Sequence, residues 1–329
     1  MSHIRTVLTS LLLLGLTATS AWADFKRERT LAFAPGGVFT LESDIGDVVL
    51  TGGSASGARV VVTSDRDLDR DFDFTFDESA RGATVTIKRR GSIRRLFGNE
   101  TGRTRIAIEV PTRADVRLRT SGGSVNASRL TGALEVRSSG GGLDIEAIEG
   151  NVDGGTSGGG VRVRGVRGTV VANTSGGGIT VTDAGGSVRA DTSGGGITID
   201  SVGGDLRAST SGGGVDVRGA GGRVEAHSSG GGVTVRFVAG NSSGGVVSSS
   251  GGSVHTEIDP GAKISIDATA SGGSVRSDVP VTIQGKVEQD SLHGDMNGGG
   301  PLLRLRSSGG GVRISAKAQG QRANGNGQR

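Results

Sequence analysis

In the acidic stretch SDRDLDRDFDFTFDES, Asp67, Asp69, Asp71 and Glu78 fall at the first, third, fifth and twelfth places counted from Asp67, the spacing with which a twelve-residue loop grips calcium. Such a loop turns on a glycine at its sixth place, and here that place holds Phe72. Phe72, Phe74 and Phe76 alternate with Asp71, Asp73 and Thr75, the period of a strand with one buried face, so a strand without bound metal is expected. A second candidate is basic. Lys88, Arg89, Arg90, Arg94 and Arg95 crowd the stretch KRRGSIRRLFG, followed by Arg103 and Arg105. A cluster of this density suits an anionic glycan or lipid head group, and equally suits a solvated loop between two strands. Aromatic residues that would stack on bases make up only 3% of the chain, so no nucleic-acid partner is expected.

A third candidate is TSGGG, which recurs. A glycine-rich loop that cradles phosphate is completed by Gly-Lys-Ser/Thr and opens a helix, and neither follows any triplet here. A calcium β-roll needs an Asp soon after the glycines in every turn, whereas that place holds Asn126, Asp144, Arg162, Thr180, Thr198, Asp216 and Thr234. Nucleophilic catalysis also lacks parts. Cysteine is absent, the histidines beyond His3 are His227, His255 and His293, and no Gly-x-Ser-x-Gly elbow stands between a strand and a helix. Carboxylates are scattered along the chain without a pair that stands out. No catalytic residue, metal or cofactor is expected.

The elements that carry these residues are set by a repeat. Ser121, Ser139, Ser157, Ser175, Ser193, Ser211 and Ser229 stand at an unbroken spacing of 18. Counting from that serine, the fifth and seventh places are apolar, as in Ile179 and Val181. The tenth is small and apolar (Leu130, Ile148, Val166, Ala184, Val202, Ala220, Val238), and the twelfth is glycine from Gly132 to Gly240. Places fourteen and sixteen, as in Val188 and Ala190, give a second alternating run. Each unit is a strand, a glycine turn, a second strand and a glycine corner, with too little apolar surface to fold alone. Stacking unit on unit buries the Val/Ile/Ala columns, which predicts an all-β parallel β-solenoid, β-helix-like, of 18-residue coils. Seven coils at the strand spacing rise about 34 Å. The glycines supply positive φ or close backbone approach at the corners, and the recurring serines are expected to hydrogen-bond there.

Gly accounts for 63 of 329 residues and Tyr for none, so the interior must be thin. His3 and Arg5, the apolar run from Val7 to Leu16 and Ala21-Trp22-Ala23 form the three parts of a cleaved export signal over residues 1–23. No cysteine follows for lipid attachment and no later segment is apolar enough to span a membrane. The pI of about 10.1 reflects missing Tyr and Cys more than charge, since removing the leader takes only Arg5 from 37 basic residues set against 33 acidic ones. Residues 24–120 are β-rich (VFTLES, RVVVTS, ATVTIKR, RIAIEV) and are expected to cap the stack. Residues 121–245 form the regular repeat, 246–318 irregular coils with insertions, and 319–329 a disordered tail.

GGVFTLESDIGDVVLTGG, TRIAIEVPTRADVRLRTSGGSV, PGAKISIDATASGGSVRSDVP and LHGDMNGGGPLLRLRSSGGGVRI together resemble segments of the bacterial adhesin family designated domain of unknown function 4097. They lie in that family's order and span nearly the whole chain after the leader. The resemblance implies an exported β-solenoid of the periplasm, cell surface or medium that binds a glycan or an envelope or surface protein, and it supplies no catalytic positions. The expectation is a non-enzymatic binding or scaffolding protein. Outward columns such as Arg162 and Arg164 beside Asp144 and Glu146 would contact a partner or pair with each other. The alternatives are a β-helical polysaccharide-degrading enzyme, which would need aromatic sugar platforms, and a purely structural envelope protein.

Overall fold

The computed structural model describes residues 25–91, 103–284 and 288–316. The leader, Asp24, Arg94, Arg95 and the tail from residue 319 lie outside the described residues.

Alternation of apolar and polar residues yields strands with one buried face, and the glycine-rich corners send successive strands to opposite sides of a thin core. Nine strands lead in: β1 (Phe25–Ala32), β2 (Val38–Ser43), β3 (Asp47–Gly53), β4 (Gly57–Ser64), β5 (Phe72–Ser79), β6 (Gly82–Arg89), β7 (Thr104–Pro111), β8 (Asp115–Thr120) and β9 (Val125–Thr131). The ladder continues through β10 (Leu134–Ser138), β11 (Leu143–Glu149), β12 (Val152–Thr156), β13 (Val161–Val166), β14 (Val170–Thr174), β15 (Ile179–Ala184) and β16 (Val188–Thr192). It is completed by β17 (Ile197–Val202), β18 (Leu206–Thr210), β19 (Val215–Ala220), β20 (Val224–Ser228) and β21 (Val233–Phe237). From β9 to β21 odd strands build one sheet and even strands the other, each paired in parallel with the equivalent strand of the next coil. Leu143 faces Val161, and Ile145 faces Val163, so like stacks on like at every 18-residue step. This is the parallel β-solenoid of the repeat, with the fifth, seventh, tenth, fourteenth and sixteenth places forming the interior between the sheets.

Two details differ from the repeat as read. In the last regular coil the register shifts after Arg218, and Phe237 pairs with Ala220 and fills the tenth, buried column, leaving Val238 partly exposed. Positive φ is concentrated not in the triplets but at the ninth place, where Arg129, Ala147, Gly165, Asp183, Ser201 and Gly219 have φ between 55° and 72°. The triplet glycines serve close approach instead: a Cβ on Gly177 would lie 2.3 Å from the Gly159 carbonyl oxygen.

Both ends are interleaved. β2 and β3 form a coil that lies between the coil β6–β7 and the coil β8–β9, so the chain steps over its own earlier turn on the way from β7 to β8. Antiparallel β4 and β1 flank β7, and antiparallel β5 flanks β6, closing this end with the stacked rings of Phe25 and Phe74. The far end repeats the device with β22 (Gly245–Ser249), β23 (Val254–Ile258), β24 (Ile264–Ala270), β25 (Val275–Ser277), β26 (Thr282–Ile283), β27 (Ser291–Met296), β28 (Leu302–Ser307) and β29 (Val312–Ala316). The coil β28–β29 lies between β22–β23 and β24–β25. The broken spacing after residue 245 therefore marks a coil threaded between two earlier ones.

Candidate functional site

Even strands of the ladder end in a fixed triplet, as in Asn173, Thr174 and Ser175: outward, buried, then exposed at the corner. The buried member is a hydroxyl in coil after coil. Ser138, Thr156, Thr174, Thr192, Thr210, Ser228, Ser249 and Ser307 each donate to a glycine carbonyl of the preceding coil at 2.7–3.1 Å. This ladder gives the partly buried corner carbonyls a side-chain partner. It also corrects the expectation for the serine column. The residue before each serine makes the corner bond, and Ser121, Ser139, Ser157, Ser175 and Ser193 are left exposed.

The outward column and the exposed serines straddle the buried hydroxyls and enclose an open groove of about 840 Å³. One wall carries Glu42, Lys88, Arg119, Arg137, Asn173 and Asp191, the other Asp44, Ser121, Ser139, Ser157, Ser175 and Ser193, with Thr120 to Thr192 as floor. Eight consecutive strands of one sheet, β6 to β18 through β2, contribute to it. Its charge is balanced, with Lys88, Arg119 and Arg137 against Glu42, Asp44 and Asp191. Each basic group has an acidic neighbour: Lys88 Nζ lies 3.9 Å from Glu42, Arg119 3.5 Å from Glu135, and Arg137 2.5 Å from Asp153. The bond to Asp153 raises the Arg137 pKa further above its already high ordinary value. Gly155 makes this possible, because a Cβ there would meet Arg137 Cδ at 3.3 Å. The guanidinium lies across the place where a side chain would stand.

The sequence-predicted basic cluster is divided. Lys88 lines the groove. Arg89 lies over the Phe72 ring, 5.0 Å from its centre, and Arg90 pairs with Asp73 at 2.5 Å. Arg103 and Arg105 line a smaller pocket of about 480 Å³ around the corner with Asp47, Gly122 and Gly123, and Asp44 borders both cavities. Arg94 and Arg95 lie outside the described residues. On the opposite sheet Arg164 bonds Asp144 at 3.1 Å and Glu146 at 3.2 Å, and Arg162 lies 3.6 Å from Asp144, so these outward columns pair across coils.

The acidic stretch does not converge. Asp69 is held by Arg27 at 2.5 Å, and Glu78 accepts from the Ala32 N–H at 2.8 Å. Among the described residues no group of three or more Asp, Glu or His could hold a metal ion. Of the histidines, His255 comes nearest to a catalytic arrangement. Ser315 Oγ, at 3.2 Å, and Glu257 Oε1, at 3.6 Å, both approach its Nε2, whereas a proton relay needs hydroxyl and carboxylate on opposite ring nitrogens. His293 Nδ1 lies 3.2 Å from Asp267, which also pairs with Arg304. Sequence reasoning passed over the groove because its outward column, Arg137, Gly155, Asn173 and Asp191, shares no residue type. The only signal was the exposed serine beside it.

No family model matches the chain, and no curated protein matches it in sequence. Solved structures do. One, described as a "putative lipid binding protein" from Parabacteroides distasonis, is 15% identical with a TM-score of 0.46, over 88% of this chain and 96% of that one. A "putative adhesin" from Bacteroides fragilis is 11% identical with a TM-score of 0.36, over 90% and 99%. A "putative cell adhesion protein" from Clostridium sporogenes is 9% identical with a TM-score of 0.24, over 89% and 99%. The assignment to the β-solenoids rests on the strand register above.

Proposed function

We propose that this chain is an exported, non-enzymatic binding or scaffolding protein of the bacterial envelope, adhesin-like in role, and that its ligand lies in the serine-lined groove. The observation that carries the reading is the construction of that groove. One wall repeats a serine from coil to coil, the groove's basic groups have acidic neighbours, and its floor is fixed by bonded hydroxyls. A rigid, shallow, polar channel of this kind suits recognition of an extended polar partner, a glycan or a chain of the envelope, better than enclosure of a small substrate. The resemblance of the terminal segments to the adhesin family agrees with this.

The test is a binding screen of the purified chain after its leader against envelope and host glycans, with soluble products assayed in parallel. Saturable binding without product release, weakened at least tenfold by Asn173→Ala combined with Ser175→Ala, is the expected result. Release of shortened products would replace the reading with a polysaccharide-degrading enzyme. Absence of binding to every glycan would leave a structural role.

A further inference from the structure

Resting on that reading, we infer that the groove takes an uncharged, extended polysaccharide lying along the solenoid axis, one sugar ring per coil. Three observations bear on this class of ligand, two on its identity and one on how it binds. The lining is dominated by hydroxyl groups, with its basic and acidic side chains equal in number, which suits neither an apolar lipid tail nor a polyanion. The exposed serines repeat once per coil, so the hydrogen-bonding pattern has the strand spacing of about 4.8 Å as its period. An extended peptide laid along the axis advances about 3.4 Å per residue and shows the same face every second residue, and so falls out of step with this period within a few coils. A β-1,4-linked pyranose ring advances by close to one coil step, and although successive rings turn over, each presents hydroxyls on both edges, toward the serines on one side and the mixed polar column of Arg119, Arg137, Asn173 and Asp191 on the other.

The third observation sets how such a ligand must bind. Among the described residues no aromatic lines the groove, so no ring gains from them the stacking that usually anchors a sugar. Each coil contributes only hydrogen bonds, individually weak against water. Affinity then comes from the number of coils engaged and must grow with ligand length until the groove is filled.

The repeat itself supplies the experiment. Removing residues 157–174 joins Thr156 to Ser175 and restores the same TSGGG junction while taking one coil out of the groove. Removing residues 211–228 takes out one coil beyond it, and duplicating 157–174 adds one coil within it. Affinities of the three variants and the parent chain are measured for neutral β-1,4-linked glucose and N-acetylglucosamine oligomers of two to ten rings, with circular dichroism reporting the fold. The expected result is that affinity stops rising one ring earlier in the 157–174 deletion, one ring later in the duplication, and at the parent length in the 211–228 deletion. A plateau that stays put in all variants would overturn the one-ring-per-coil inference while leaving the groove as a binding site. Tighter binding of charged oligomers than of neutral ones would also overturn it. No binding of any oligomer to any variant would overturn the inference together with the glycan reading. The duplication keeps the test decisive should the 157–174 deletion fail to fold.

Discussion

The hydroxyl of Thr174 donates to the carbonyl of Gly159 in the preceding coil at 2.7 Å, and the same hydroxyl accepts from the Gly177 N–H at 3.4 Å. One small side chain thus joins two coils and closes its own corner. Thr174→Val keeps the shape and removes the bond, and it is expected to cost about 1–2 kcal/mol. Ser175→Ala, one residue away on the exposed column, should change stability by less than about 0.5 kcal/mol. Because a solenoid opens locally, amide exchange at Gly177 and its neighbours is the measurement. Equal protection in the two variants would refute the assignment of corner bonding to the buried column.

The ninth place offers a paired test of backbone strain. Ala147 has φ 55°, where a Cβ is unfavourable by about 1–2 kcal/mol, and Gly165 takes φ 63° one coil later. Ala147→Gly should raise the unfolding free energy, and Gly165→Ala should lower it by about 1 kcal/mol, read from denaturant unfolding. Space is not the cause, since a Cβ on Gly165 would meet nothing nearer than 3.8 Å.

Corner glycines of different coils should differ sharply in tolerance. A Cβ on Gly177 would lie 2.3 Å from a backbone oxygen of the coil below, whereas one on Gly122 would meet nothing within 4 Å. Gly177→Ala must therefore push coils apart, at about 1–3 kcal/mol or more. Gly122→Ala should stay within about 0.5 kcal/mol of the parent. Denaturant midpoints of the two variants decide the matter.

At the N-terminal end, hydrogen bonds from Arg59 and Lys26 hold the Glu28 carboxyl below its ordinary pKa. A depressed carboxylate contributes above its unfolded pKa, and the contribution is lost as the pH falls through the folded value. Acid should therefore loosen the β1–β4 pairing where Glu28 and Arg59 meet. Carbonyl NMR titration of Glu28 is expected to show a depressed midpoint that returns toward the ordinary range in Arg59→Gln.

The regular coils were legible because each interior place keeps one character through the copies, so that Ile179, Ile197 and Val215 announce a column. The left-handed column was not, since Arg129, Ala147, Asp183 and Ser201 share a backbone angle and no side-chain chemistry. The groove was half legible, its serines visible and its opposite wall hidden by variation from Arg137 to Asp191. The interleaving left no mark in any single strand: Leu303 and Leu305 signal a strand, but only the register shows them between β22 and β24. Strand identity is local, whereas strand order is decided by which edges remain unpaired.

That order has a mechanical consequence. A simple stack unwinds from its outermost turn, one coil peeling away at a time. Here the chain leaves β29 from a coil bonded on both sides, so tension applied at Ala316 loads two neighbouring coils at once and pulls along the strand. At the other end β2 is clamped likewise between β6 and β8, but among the described strands the chain enters through β1, an edge strand bonded to β4 alone. A protein held at Ala316 under flow would resist as a clasp does, yielding in one step at high force where an ordinary solenoid would pay out like thread.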